Sequence, residues 1–485
     1  MPPGSFKSDD SFLRKLAIGA AGTRRAFENL RSQGHDPIEL ERGSMSFKLW
    51  RKTIKRKRLR MPDILCLNCG VRFESRGKTD LKISMSHSLT DATRAWDVGL
   101  DDGDFVALVG VTSGDSPVDA VADTLVQYVS VRELRAAFTD GVVAISGRKG
   151  VEEGSEIQVT WPATVETVYG VIEEVNAKTV RYKTDDGHKG RILLNRKKGK
   201  LLPLVKVGDR FAPNQILVSG VPVSAACPCS GGATLDRYIA TASSASVTDR
   251  YMAAKALRRS ASDAATSTLL QLLDDGKEDI YVRVESGAAL MLRERPEGKA
   301  FLKSLLDGAH ASYRLEAVIV LGEVPTASAA DLLRVTLSRA EEHPDVRAAA
   351  AWALGEIGLH ENIDALVDCF GSLESEIRIE AARALTKLAR KYRASVLATF
   401  PPTAEAKRPG IAWALSRAGV RVNELLPSLV DDDARHWIAY MVGSQDPAAM
   451  LSEIDALRAL DAEVFFAVTV LWKIFGSWIH NLDEY

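Results

Sequence analysis

Cysteine is scarce in this chain: five residues in 485 are too few and too scattered for the disulfide framework of a small secreted domain, which points to a reducing compartment. The opening stretch MPPGSFKSDDSF lacks the basic start and apolar core of a secretory signal, and no uncharged apolar run reaches about 18 residues. The nearest approach, residues 464–479, is short and interrupted by Lys473, and reads as a final buried helix. Together these absences predict a cytoplasmic protein without membrane contact. A dominant charge is lacking too, since the formal net charge is -1; asymmetry must be sought locally. What is present is globular. A hydrophobic share of 46% and a charged share of 26% argue against disorder, and 485 residues exceed one core, so three domains are predicted.

The C-terminal half is periodic. Arginines open similar apolar segments at Arg250 (DRYMAAKAL), Arg283 (YVRVESGAAL), Arg314 (YRLEAVIVLG), Arg347 (DVRAAAAWALGEIG) and Arg378 (EIRIEAARALTKLA), 31 to 33 residues apart, and Arg408 and Arg435 continue the series more loosely. Each segment carries small residues on one face and is followed by a second apolar helix such as AADLLRVTL or IDALVDCF. One helix pair cannot bury its own apolar face, so neighbours must stack, which leaves an extended surface for binding a partner. The pattern DVRAAAAWALGEIG closely resembles HEAT repeats of the phycobilisome-lyase type. The resemblance implies an α-solenoid over residues 235–485, with the repeated arginine bonding an acidic neighbour to fix register. His310, His343, His360 and His436 have no ligand spacing and read as surface or cap residues, and Cys369 as core.

At the other end, SFLRKLAIGAAGTRRAFENLRSQ has helical spacing and stops at Gly34. PDILCL and VRFESR read as adjacent strands joined by a tight NCG turn, DDGDFVALVGV as a third strand and VADTLVQYVSVRELRAAF as a helix. The order of helix, strand with Pro62-Asp63, and strand with Glu74 resembles the PD-(D/E)XK nuclease fold of restriction enzymes and Holliday-junction resolvases. That resemblance implies a restriction-endonuclease-like α/β domain over residues 11–148, in which Asp63 and Glu74 hold Mg²⁺. The family's lysine position is taken by Arg76, which cannot act as a base, so the water-orienting role falls to Lys78 and a phosphate contact to Arg76. Glu28 is a candidate additional acid.

Two further features bear on the same domain. Lys48, Arg51, Lys52, Lys55, Arg56, Lys57, Arg58 and Arg60 crowd thirteen residues upstream of Asp63, a density suited to nucleic-acid phosphates, with Trp50 available to stack or to be buried. Cys66 and Cys69 form C-L-N-C-G, which reads either as half of a structural zinc site or as two small residues in a tight turn; for a zinc site the remaining ligands are left open between Cys227 and Cys229 of ACPCSGG and His87.

Residues 154–225 change to short strands alternating with Gly and Asp turns, which predicts a small β-barrel or barrel-sandwich domain; VKVGDRFAPNQILVSG is similar to the strand-turn-strand of barrel-sandwich hybrid domains. A lipoyl-carrier role fails because the turn DDGHKG offers no counterpart to the modified lysine. Lys189, Arg191, Arg196, Lys197, Lys198 and Lys200 form a second basic cluster that either extends a nucleic-acid path or solubilises the domain. Two functions follow from these readings. One is a metal-dependent phosphodiesterase whose solenoid holds a duplex or a protein partner. The other is a non-catalytic HEAT-repeat scaffold with a zinc-stabilised, nucleic-acid- or protein-binding N-terminal adaptor.

Overall fold

The computed structural model describes residues 10–40, 61–79, 84–88, 95–114, 120–147, 156–160, 163–196 and 199–479. The chain divides into two compact units, which meet in sequence between Ala256 and Leu257.

In the first unit, helix α1 (Asp10–Ser32) ends at Gly34, whose φ of 87° turns the chain out of the helix. Strands β1 (Pro37–Glu39), β2 (Ile64–Cys66), β3 (Arg72–Lys78), β5 (Phe105–Ser113) and β6 (Ala120–Ser130) form one sheet in the order β1-β2-β3-β5-β6, with only β3 and β5 parallel among these pairs. The interior strand β5 is buried on both faces, as its unbroken run VALVGV requires. Ala107, Val109 and Val111 pack with Phe73 towards Ala26 and Leu30 of α1. Val106, Leu108 and Val129 pack with Leu134 of α2 (Val131–Thr139) on the other face. The expected helix over residues 121–138 is therefore half strand. Its first part, rich in β-branched and aromatic residues, pairs along β5, and only VRELRAAFT is helical. β4 (Ser84–Ser88), β7 (Ala144–Gly147) and β8 (Glu156–Thr160) make a separate sheet in the order β4-β8-β7.

Residues 163–219 fold as β9 (Ala163–Val165), β10 (Gly170–Val175), β11 (Thr179–Thr184), β12 (Lys189–Leu193), β13 (Asn195–Arg196), β14 (Gly199–Lys200), β15 (Leu202–Pro203), β16 (Arg210–Phe211) and β17 (Ile216–Ser219). They do not close into a barrel. β12-β11-β10-β16 and β15-β17-β9 are distinct sheets over a shared core of Ile172, Val180, Phe211, Leu217 and Val218, with β13 and β14 as a separate hairpin. Closure fails because β16 pairs with β10 over only two residues before Asn214, at φ 61°, turns the chain into β17, which pairs with β9 instead. The first sheet is tied to this region by Gln127, whose side chain donates to the Asn214 carbonyl (3.0 Å) and accepts from the Ile216 amide (2.8 Å). Helices α3 (Leu235–Thr241) and α4 (Val247–Leu257) complete the unit. Buried Arg72 joins β3 to Asp104 (2.8 Å), to Asp101 and to Asp249 of α4 (2.8 Å).

The second unit alternates helices in two layers. α6 (Ile280–Leu292), α8 (Ala311–Leu321), α10 (Pro344–Ile357), α12 (Ser375–Lys391), α14 (Arg408–Arg417), α16 (Asp432–Gly443) and α18 (Ala462–Ile479) stack successively. Between them run α5 (Asp263–Asp274), α7 (Pro296–Leu306), α9 (Ala327–Ser338), α11 (Ile363–Asp368), α13 (Arg393–Ala398), α15 (Val422–Leu425) and α17 (Pro447–Leu460). Small residues set the spacing. Ala348 to Ala351 are fully buried, and a Cβ on Gly355 would stand 2.6 Å from the Ala384 backbone of α12.

The arginine ladder splits by partner. Arg283 and Arg347 each send Nε to the carbonyl ten residues back, Leu273 and Leu337, at 3.0 Å. Arg378 donates to the Ser372 carbonyl (2.6 Å). Arg314, Arg408 and Arg435 do bond carboxylates, of Glu342 (2.7 Å), Asp431 (2.9 Å) and Asp461 (2.8 Å). A helix end leaves carbonyls without intrahelical partners, and a five-donor guanidinium can satisfy them as well as a carboxylate. The histidines act locally: His343 Nδ1 accepts from the Asp345 amide (3.2 Å), and His310, His360 and His436 lie against aromatic rings. Cys369 is core, with burial pushing its thiol up to about 12. Among the described residues no helix is long and apolar enough to cross a membrane.

Candidate metal centre

The CLNCG segment folds as a tight knuckle between β2 and β3. The Gly70 amide donates to the Cys66 carbonyl (2.8 Å), and the Cys66 amide to the Val71 carbonyl (2.9 Å). Gly70 adopts φ 73°, a left-handed conformation that a side chain would strain, and the Arg237 guanidinium lies where its Cβ would be. The turn aims Cys66 and Cys69 to one side, where two distant segments meet them. One is the end of α1, which brings His35. The other is the strap ACPCSGG, which brings Cys229.

The ligand atoms of His35, Cys66, Cys69 and Cys229 all lie within 4.8 Å of one another. Cys66 Sγ is 3.8 Å from Cys229 Sγ, and Cys69 Sγ is 3.7 Å from His35 Nδ1. Tetrahedral zinc with Zn–S of about 2.3 Å and Zn–N of about 2.0 Å places its ligand atoms about 3.5 to 3.8 Å apart, so these separations fit a Cys₃His centre. His35 Nε2 is 2.8 Å from the Cys227 carbonyl, a bond that, with the proton on Nε2, turns Nδ1 towards the sulfurs. The Cys227 amide in turn donates to Gln33 Oε1 (2.5 Å), and the Ala233 amide to the Asn68 carbonyl (2.9 Å), which seats the strap on the helix end and the knuckle. Tyr238 donates to the Leu67 carbonyl (3.0 Å) from α3.

The electrostatics suit a cation. Hydrogen bonding from Cys69 holds the Cys66 thiol down to about 3, against the opposing effect of burial. Burial would lower His35, but its hydrogen bonds to Cys227 and Cys66 carry it up to about 10. Cys69 is pushed up by Cys66, because two adjacent sulfurs resist a second negative charge without a cation between them. A divalent ion supplies that charge and displaces the protons.

Of the ligands left open by the sequence, Cys229 belongs to the centre. Cys227 is not one of the four; it lies in the apolar cluster beneath, where its carbonyl and its thiol both bond His35. His87 is on β4, and its side chain lies outside what the structure describes. His35 was missed, because one histidine after a helix carries no pattern of its own; the only signal is its place at the Gly34 stop.

The proposed Mg²⁺ residues are arranged differently. β3 does extend to Lys78, and alternation puts Glu74, Arg76 and Lys78 on the face away from Phe73. Asp63 Oδ2, however, accepts from the Ser75 amide (2.7 Å), and Glu74 Oε1 lies 2.6 Å from Arg76 Nη2. A guanidinium therefore already balances the charge that Mg²⁺ would neutralise. Glu28 is exposed on α1 beside Arg25. Lys52, Lys55, Arg56, Lys57, Arg58, Arg60, Lys197 and Lys198, with Lys48, Trp50 and Arg51, lie outside the described residues. Lys189, Arg191 and Lys200 of the second cluster are exposed.

Residues 298–386 match the family model for HEAT repeats, and residues 249–275 that for the PBS lyase HEAT-like repeat. Human deoxyhypusine hydroxylase in complex with glycerol is similar at 19% identity, over 33% of this chain and 86% of that one, with a TM-score of 0.19. The complex of CpcE and CpcF of phycocyanin lyase from Nostoc is similar at 18% identity, over 50% and 94%, with a TM-score of 0.25. A designed armadillo repeat protein is similar at 19% identity, over 38% and 100%, with a TM-score of 0.24. No curated protein matches. The matched residues 298–386 fall on the helix pairs from α7 to α12.

Proposed function

We propose that the protein is a HEAT-repeat scaffold that binds a partner protein, with an N-terminal adaptor held in shape by one structural zinc ion on His35, Cys66, Cys69 and Cys229. The observation that carries the zinc reading is the set of separations among four ligand atoms from three distant segments. Four protein ligands fill a tetrahedron and leave no position for water or substrate, which is the signature of a structural rather than a catalytic ion. The binding role is supported by the stacked repeats, since solenoids of this kind present extended surfaces rather than closed reaction sites. The competing phosphodiesterase reading needs Asp63 and Glu74 to share a metal, and the Glu74–Arg76 pair weighs against it.

The test is one preparation measured twice. Metal analysis is expected to return one zinc per chain, with zinc lost in Cys69→Ser and retained in Cys369→Ser. Incubation with DNA and RNA substrates plus Mg²⁺ or Mn²⁺ is expected to give no cleavage. Cleavage abolished by Asp63→Ala or Glu74→Ala would overturn the scaffold reading, and zinc-free protein would overturn the adaptor's centre.

A further inference from the structure

The repeats are least regular around α14, and a groove opens there. Arg378 is the fourth residue of the 17-residue α12, whereas its counterpart Arg408 is the first of the ten-residue α14. The turn before Arg408 is a tighter 3-10 turn, Glu405–Lys407, instead of a further α-helical one, and the two positions after Arg408 are Pro409 and Gly410 where α12 has Ile379 and Glu380. The N-terminal half of α12 thus loses the side-chain cover that a full-length neighbour would supply. A cavity of about 610 Å³ results, within the range that holds a ligand or a few side chains.

Its chemistry is mixed in one direction only. Phe370 forms part of the wall and packs so tightly on Gly410 that a Cβ there would lie 2.3 Å from its ring. Ile379, half exposed, Ala382 and Trp413 extend the apolar surface. Arg378 and Arg383 also line the groove, and no carboxylate does so among the described residues. Arg378 bonds the Ser372 and Leu373 carbonyls, which leave its charge in place. Arg383 pairs with Glu380, but the Glu380 side chain is buried while that of Arg383 is one-third exposed. Arg417 adds a third cation against the Trp413 ring, 5.7 Å from its centroid.

We propose that this groove docks a short acidic, apolar segment of a partner protein, with a bulky side chain seated between Ile379 and Trp413 and carboxylates facing Arg378 and Arg383. The inference rests on the scaffold reading and names the chemistry of its partner. Apolar walls between cations suit a peptide that offers both kinds of group, and suit a nucleic-acid backbone poorly, because phosphates gain nothing from Ile379 and Ala382.

The experiment pans a phage-displayed library of random twelve-residue peptides against the full chain, then measures fluorescein-labelled copies of enriched sequences by anisotropy. Enriched peptides are expected to combine an aromatic residue or leucine with flanking Asp or Glu. Their affinity should fall at least tenfold in Ile379→Asp and severalfold in Arg383→Gln, weaken with added salt, and vanish when their acids are replaced by lysine. Val335→Asp, at an exposed site on α9, should bind as wild type, and thermal melts should show all three variants folded. No enrichment, or enrichment of basic peptides, would overturn the proposal. Peptides that bind but ignore both groove variants would also overturn it, while leaving the scaffold reading intact; a substrate-cleavage result bears on the scaffold alone.

Discussion

The two units solve the problem of holding a long chain together in opposite ways. The second repeats one modest solution, an arginine at the mouth of each helix satisfying a nearby carbonyl or a carboxylate about 25 residues on, as Arg314 with Glu342 and Arg435 with Asp461. The first depends on a few unrepeated junctions that bridge great sequence distances, such as Cys66 with Cys229 and Arg72 with Asp249. Damage to a repeated contact should therefore stay local, whereas damage to a junction should spread through its unit.

Removing the metal gives the sharpest contrast. A strong zinc chelator, or Cys69→Ser, is expected to strip hydrogen-exchange protection from β2, β3 and the 225–233 strap, while α8, α10 and α12 stay protected. Structural zinc contributes on the order of 10 kcal/mol to small metallodomains, so the loss should be large. Equal loss in both units would erase the contrast. Next comes Arg72→Ala. It strands a buried Asp104 carboxylate, which burial already pushes above its ordinary value, and breaking such a pair costs about 3–5 kcal/mol. Urea unfolding followed by exchange in β3 and β5 should show a lower midpoint for the first unit alone.

The smallest effect is expected in the ladder. Hydrogen bonds from Arg435 hold Asp461 below its ordinary value of 3.8. A depressed carboxylate stabilises the fold above the unfolded value and loses that contribution as pH falls through the folded one. The melting-temperature gap between wild type and Arg435→Ala should thus be modest at pH 7 and close as pH falls below 3.8 and through the depressed folded value, since protonated Asp461 no longer answers the guanidinium. A gap that persists at low pH would assign Arg435 a packing role instead.

How much was legible follows from the same contrast. The solenoid was readable because its information is periodic: Arg347 and the alanines after it predict their own neighbours. The metal centre was half readable. CLNCG announces itself, but Cys227 and Cys229 are indistinguishable in sequence, and only the fold brings the Cys229 sulfur among the other three ligand atoms while the Cys227 amide donates to Gln33 and its carbonyl accepts from His35. Of the barrel or barrel-sandwich expected over residues 154–225, only barrel closure was not met, because closure depends on which partner each two- or three-residue strand selects, and β17 selected β9. The first half of the helix expected over residues 121–138 became strand for a related reason, since TLVQYVS fits a helical spacing yet finds a long partner in β5.

The position of Cys229 also orders events during synthesis. Its thiol lies 163 residues after Cys66, so the ribosome must deliver nearly half the chain before the fourth ligand is available. The Tyr251 hydroxyl, which donates to the Leu40 carbonyl (3.2 Å), follows later still. The first unit can therefore mature only when the first helices that lead into the repeats have left the exit tunnel, and a chain cut at residue 225 would leave Cys66 and Cys69 without Cys229.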